Sequence, residues 1–250
     1  MLDFQPRAGA SGLAIVIGMP ANGLSSFTRG VAQRLAGLGH RVLIPDYYRG
    51  AGPADTAAAD ALDGPHALPD LSRLMDSLDF PRAAHDLIAA ARYARADPDV
   101  RAVAVWGYCT GGTVAALAGC LGAGVVDRLV LFYPSQMVFP VTSALRPQSP
   151  AELLWALRCP TLLLVGDCDR MWPAELIARF GSELDRTATD HQVVVYPGAG
   201  HAFADHWSDG RTDSYDADAD SDAWRRAVAF VGEGVVHHRQ RPAGPVTAAQ

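Results

Sequence analysis

Six short apolar runs recur along the chain, at Leu13–Ile17, Arg41–Ile44, Ala102–Val105, Arg128–Phe132, Thr161–Val165 and Gln192–Tyr196. None alternates strongly between apolar and polar residues, which is the pattern of strands buried on both faces. Between them the apolar spacing becomes helical. Ser26–Leu38 predicts a helix closed by Gly39, and Phe80–Arg95 predicts one closed by Asp97-Pro98. Gly112–Leu121, Pro173–Leu184 and Asp222–Val231 predict three more. Strands alternating with helices imply the α/β class, a mostly parallel, doubly wound sheet flanked by helices. Gly50–Leu78 and Ser135–Trp155 carry no such period and read as long irregular connections, the kind of segment that shapes substrate pockets. The pattern predicts one domain over residues 1–232 and a polar, poorly ordered tail over 233–250.

A chain of 250 residues with 49% hydrophobic content is long and apolar enough for a substantial core. The net charge of −6 argues against a nucleic-acid partner, and the basic cluster His237–Arg241 falls in the expected tail. The acidic run Asp213–Asp222 reads as a solvated loop. No segment approaches the roughly 18 apolar residues that cross a membrane. The first residues lack the basic and long apolar regions of a signal peptide. Four cysteines, Cys109, Cys120, Cys159 and Cys168, show neither a CxxC pair nor zinc spacing, so a reducing cytoplasm is expected.

Chemistry enters at Val103-Ala-Val-Trp-Gly-Tyr-Cys-Thr-Gly-Gly112, where a β-prone run ends in Gly-x-Cys-x-Gly and passes directly into helix formers. A sharp strand-to-helix turn of this kind presents its central side chain in a strained, exposed position, and flanking glycines relieve the crowding. The following helix aims its free N–H groups and positive dipole end at the sulfur, which favours a thiolate. Cys109 is therefore placed as a nucleophile. The competing reading is an inert cysteine buried in a glycine-rich turn.

A thiolate nucleophile needs a base and a carboxylate that orients the base, in the chain order nucleophile, acid, histidine for a doubly wound hydrolase. Thr161-Leu-Leu-Leu-Val-Gly-Asp-Cys-Asp169 is a strand running into an acidic turn, and Val193-Val-Val-Tyr-Pro-Gly-Ala-Gly-His201 is a strand running into a glycine-rich loop. Both would reach the carboxyl edge of the sheet beside Cys109. Asp167 and Asp169 compete for the acid role. Asp169, further past its strand, is preferred, with Asp167 as a turn or cap residue.

These segments resemble the dienelactone hydrolase family, an α/β-hydrolase branch with a cysteine nucleophile. The resemblance spans about Leu13 to Val231, through Trp106-Gly-Tyr-Cys-Thr-Gly-Gly112, Gly166-Asp-Cys-Asp169, Gly198-Ala-Gly-His-Ala-Phe203 and Pro45-Asp-Tyr-Tyr48. It implies a triad of Cys109, Asp169 and His201, with the backbone N–H groups of Thr110 and Ala21 as oxyanion hole. It implies hydrolysis of an ester or lactone through an acyl-enzyme. Two departures stand out. Where the family has a glutamate that pairs with the resting thiol, this chain has Pro20, so Cys109 is expected to rest as an ion pair with His201. Where the family has an arginine four residues past the histidine, this chain has Asp205, and Arg73 is the one nearby candidate cation in the long connection. An acid there would repel a carboxylate-bearing dienelactone, which points to a neutral or cationic ester, lactone or thioester.

Tyr108, Trp172 and Phe203 are further candidates for substrate contact, Trp172 above the others because it follows the acid turn; Tyr47, Tyr48, Met171 and Trp207 are read in the same way. Cys168 reads as a turn residue rather than a redox partner of Cys109. His201, Asp205 and His206 lack the further spacing of a metal site, so neither metal nor cofactor is expected. Acyl transfer or thioester cleavage on the same triad, or a binding protein that keeps the fold, are the competing functions, and the oligomeric state is left open.

Overall fold

The computed structural model describes residues 1–7, 9–62, 67–187, 189–206 and 214–239. Seven strands form one sheet in the order β1-β3-β2-β4-β5-β6-β7. They are β1 (Leu2–Phe4), β2 (Leu13–Gly18), β3 (Arg41–Ile44), β4 (Ala102–Tyr108), β5 (Arg128–Phe132), β6 (Thr161–Gly166) and β7 (His191–Tyr196). All pairs are parallel except the edge pair β1–β3. This is the mostly parallel, helix-flanked sheet expected from the apolar runs. β2, β4, β5 and β6 are buried along their whole length, as strands covered on both faces must be.

The major helices are α1 (Ser26–Gly37), α4 (Phe80–Arg95), α5 (Thr110–Leu121), α7 (Ala174–Asp185) and α8 (Ala217–Arg239). α4 and α5 pack on each other and on β2 and β4, while α8 packs on β4, β5 and β6 and meets α1 where Arg34 lies over the Trp224 ring. The two long connections are more regular than their sequence suggests. The first holds α2 (Thr56–Ala61), capped by the Asp55 carboxylate on Ala58 N–H, and α3 (Leu68–Asp76). The second holds α6 (Pro150–Leu153) and a 3₁₀ turn at Leu154–Ala156, started by Ser149, whose N–H donates to Glu152. Helices this short give too few turns for a visible period.

α8 starts before and ends after the predicted Asp222–Val231. Its start converts part of the supposed acidic loop into helix, because the Asp216 carboxylate accepts from the N–H groups of Asp218 and Ala219 and the acidic first turn suits the positive end of the helix dipole. Its backbone runs to Arg239 where a poorly ordered tail was expected over 233–250; residues 240–250 lie outside the described residues, as do residues 207–213. Among the described residues no helix is long and apolar enough to cross a membrane.

The register positions the site. Gly18 pairs with Gly107, Tyr108 with Phe132, Phe132 with Leu164, and Gly166 with Tyr196, so the carboxyl ends of five neighbouring strands stand level. The residues that follow them, Met19–Ala21, Cys109, Tyr133, Asp167–Asp169 and Pro197–His201, therefore share one edge.

Candidate active site

Cys109 sits between β4 and α5 with φ 49° and ψ −120°, the disfavoured backbone expected of an elbow residue. Two glycines make the turn possible. A Cβ on Gly111 would lie 2.1 Å from the carbonyl oxygen of Gly18, and one on Gly107 would lie 2.3 Å from that of Gly111. These contacts are backbone to backbone and cannot relax by a side-chain rotation. The same close approach sets the start of α5 against the end of β2, and Ala21, in the loop after β2, lines the same cavity as Cys109.

The His201 ring lies between thiol and acid. Its Nε2 is 3.2 Å from Cys109 Sγ and its Nδ1 is 2.8 Å from Asp169 Oδ2. Asp169 is 2% exposed, and its other oxygen accepts from the Met171 N–H at 2.8 Å, so the carboxylate is held on both sides. Asp167 instead accepts from the Gly198 N–H at 2.7 Å, tying the β6 turn to the β7 turn. Asp169 thus faces the histidine and Asp167 is the turn residue. With Pro20 in the cavity wall, His201 is the close partner of the sulfur.

Burial opposes charge on both groups, but their mutual attraction prevails. Burial alone would push the Cys109 thiol up; the His201 charge and hydrogen bond, together with the Thr110 hydroxyl and N–H, bring it below its ordinary value. Burial alone would lower the His201 imidazolium, and the thiolate with the Asp169 carboxylate raises it to about 10. Both shifts run toward a thiolate–imidazolium pair, in which both ring nitrogens would donate.

The cavity over Cys109 holds about 40 Å³ and is lined by Pro20, Ala21, Asn22, Phe27, Leu71, Tyr108, Tyr133, His201, Ala202 and Asp205. Among the described residues, that lining holds neither Lys nor Arg. A cavity of about 540 Å³ lies on the other side of the Met19–Leu24 loop, against Tyr48, Arg29 and Thr56, and does not reach the sulfur. The Tyr48 hydroxyl donates to the Ala21 carbonyl at 2.8 Å and Tyr47 donates to the Met19 carbonyl. The Pro45–Tyr48 motif therefore braces the loop that carries the Ala21 N–H.

Three candidate substrate residues are elsewhere. Arg73 is 78% exposed and pairs with Asp70 on α3; Leu71, two residues earlier and about 200° around the helix, lines the cavity instead. Trp172 is fully buried, its Nε1–H donating to the Pro134 carbonyl at 2.7 Å and its ring lying edge-on to Phe180, so it braces the acid turn from behind. Phe203 is fully buried against Tyr133 and Tyr196. Tyr108 and Asp205 do line the cavity, Met171 and the Cys168 turn residue are exposed, and Trp207 lies outside the described residues. Phe27, Leu71 and Tyr133 were missed. For Tyr133 the available signal was its position directly after a strand whose neighbours carry the nucleophile and the acid.

Residues 4–234 match the dienelactone hydrolase family. The chain is 29% identical over 228 residues to a Bradyrhizobium protein named as a 2-oxo-3-(5-oxofuran-2-ylidene)propanoate lactonase, covering 88% of this chain and 83% of that one. It is 27% identical to a Methylorubrum extorquens protein named as a carboxymethylenebutenolidase, covering 89% and 72%. Its fold is similar to that of a dienelactone hydrolase structure from Klebsiella pneumoniae, with TM-score 0.76, 24% identity and coverage of 92% and 90%. A dienelactone hydrolase-like promiscuous phosphotriesterase from metagenomic libraries shares the fold at TM-score 0.64 and 22% identity, covering 91% and 88%. The chain belongs to the dienelactone hydrolase family and is an ester or lactone hydrolase.

Proposed function

We propose that this protein hydrolyses a small, uncharged ester or lactone through a Cys109 acyl-enzyme. The observation that carries the reading is the continuous line from Asp169 Oδ2 through the His201 ring to Cys109 Sγ, at 2.8 and 3.2 Å, ending on a strained elbow at the amino end of a helix. The thiolate attacks the acyl carbon. The carbonyl oxygen, as it becomes anionic, is met by the N–H groups of Thr110 and Ala21, the oxyanion donors of this proposal. His201 then delivers its Nε2 proton to the departing alkoxy oxygen, and Asp169 keeps the ring in register. In the second half, His201 takes a proton from water, the hydroxide attacks the thioester, and the Cys109 thiolate leaves to restore the pair.

Cavity size and charge argue for the substrate class. A water takes about 10–15 Å³ of such space, so the space over Cys109 suits a small acyl group. An anionic substrate would meet the Asp205 carboxylate in the wall, and two like charges in a partly dry cleft repel by more than about 1 kcal/mol. The relatives' names refer to lactones, and a lactone ring presents the same acyl carbon without a separate alcohol.

The test is kcat/KM on a neutral activated ester and on its carboxylate-bearing analogue, for wild type, iodoacetamide-treated protein, Cys109→Ala and Asp205→Asn. Wild type should prefer the neutral ester, thiol blockade and Cys109→Ala should abolish turnover, and Asp205→Asn should raise the anionic-to-neutral ratio about tenfold. Full activity in Cys109→Ala overturns the mechanism, and a wild-type preference for the anion overturns the substrate class.

A further inference from the structure

Tyr133 follows β5 directly, and its backbone is as unusual as that of Cys109, with φ 35° in a residue that is not glycine. Its N–H donates to the Leu164 carbonyl at 2.8 Å, continuing the sheet ladder one step past the strand and pinning the residue on the level edge. The ring is 1% exposed, edge-to-face on the His201 ring at 5.3 Å between centroids and on Phe203 at 5.1 Å. The residue lines the cavity that holds Cys109. Yet its hydroxyl is fully buried and has no hydrogen-bond partner among the described residues. A buried, unpaired hydroxyl costs stability, and a left-handed backbone at a bulky residue adds strain. A phenylalanine here would keep every ring contact and remove the first cost. Burial, with the charges of Asp205 and Cys109 nearby, holds the phenol well above its ordinary range, so it stays a donor.

Resting on the thiol reading above, we propose that the Tyr133 hydroxyl is a hydrogen-bond donor to the leaving-group oxygen of the substrate, on the His201 side of the acyl carbon. A thiol enzyme has a particular need for such a group. In the tetrahedral adduct the two possible leaving groups are the Cys109 thiolate and the substrate alkoxide, and the group of lower pKa leaves faster. The adduct therefore reverts to thiolate and ester unless the alkoxy oxygen is made a better leaving group. In the forward step the Sγ–C bond has formed, the C–O bond breaks, and the His201 Nε2 proton ends on the alkoxy oxygen. Tyr133 keeps its own proton and donates only a hydrogen bond as charge develops. Thr110 and Ala21 serve the carbonyl oxygen, so the two oxygens of the ester are served by different groups. An aryl ester, whose phenolate leaves readily, needs this help far less than an alkyl ester.

The experiment measures kcat/KM for wild type, Tyr133→Phe and Cys109→Ala on the alkyl and the 4-nitrophenyl ester of the acid that wild type hydrolyses best, with Tm for each protein. Tyr133→Phe should lose at least tenfold more on the alkyl than on the aryl ester, with Tm unchanged or raised because an unpaired polar group has gone. Losses on the two esters within threefold of each other, or no loss on either, overturn the proposal, as does a lowered Tm accompanied by equal losses, which is the behaviour of a structural hydroxyl. Cys109→Ala separates this from the underlying mechanism. Hydrolysis by that variant defeats the thiol reading itself, whereas an inactive Cys109→Ala beside an indifferent Tyr133→Phe defeats the Tyr133 role alone.

Discussion

Two walls meet over Cys109, and they are built differently. The inner wall consists of turns that continue strands without interruption, at Cys109 after β4, Tyr133 after β5, Asp169 after β6 and His201 after β7. The outer wall includes Leu71, which stands on α3 in the long connection between Ile44 and Phe80. On the inner wall, position follows from sheet register. Strands level at Gly18–Gly107 and Gly166–Tyr196 leave little freedom for the next two or three residues, and hydrogen bonds such as Cys109 N–H to the Phe132 carbonyl carry the ladder past the strand ends. On the outer wall, position depends on how a nine-residue amphipathic helix rotates onto the protein, and one residue of rotation swaps a lining side chain for an exposed one. Chemistry sits where register fixes geometry, and substrate fit sits where packing does.

This contrast predicts a graded set of losses. His201→Ala should fall by about a thousandfold or more in kcat, since base and proton donor go together. Asp169→Asn should fall by about a hundredfold or more yet keep measurable turnover, because the ring loses its orienting acceptor but not its proton chemistry. Parallel kinetics on a single neutral ester check both, and equal activity in Asp169→Asn and wild type would break the inner-wall account.

The ion pair makes a pH prediction whose signs can be stated. The reactive form is thiolate with imidazolium, so kcat/KM rises as Cys109 deprotonates and falls as His201 does. Cys109 lies below its ordinary thiol value, placing the acid limb lower than for a free cysteine, and His201 at about 10 places the alkaline limb near there. The two limbs belong to the coupled pair. In Cys109→Ala the imidazolium loses the thiolate that raises it while burial still opposes it, so NMR titration should find the His201 pKa clearly lower. An unmoved value would mean that the resting pair is not ionic.

Smaller effects belong to the outer wall. Leu71→Ala should raise kcat/KM for a butyryl ester relative to its acetyl analogue by roughly fivefold, as deleting a large apolar side chain opens space beside the acyl carbon. Arg73→Ala, two residues away, should change that ratio less than twofold. If Arg73→Ala shifts selectivity and Leu71→Ala does not, the assigned orientation of α3 is wrong.

The same division explains what could be read from the sequence. Strands β2 to β7 and the order Cys109, Asp169, His201 are written in short, largely apolar runs followed by glycine, proline or aspartate, signals strong enough to survive tertiary context. β1 has three residues at a sheet edge, and α2, α3 and α6 have too few turns for a period, so they were not visible. Trp172 and Phe203 look like substrate contacts by their position after the acid and beside the histidine. Their side chains turn inward because each buries a large ring, and Trp172 also satisfies an indole donor on Pro134. No one-dimensional signal says which way such a ring points. Asp205 could be placed in the cavity because it is tied to the histidine loop by only four residues, whereas Arg73 had no such tether.

The central claim is that Cys109 carries the acyl group. The most direct measurement is mass spectrometry of the intact and digested protein, quenched in acid during turnover of a slowly deacylated neutral ester by wild type and by Cys109→Ala. The account predicts a mass increase of one acyl group on the peptide containing Cys109 in wild type and its absence in the variant. Steady turnover with an unmodified Cys109, or with the acyl group on another side chain, would contradict it.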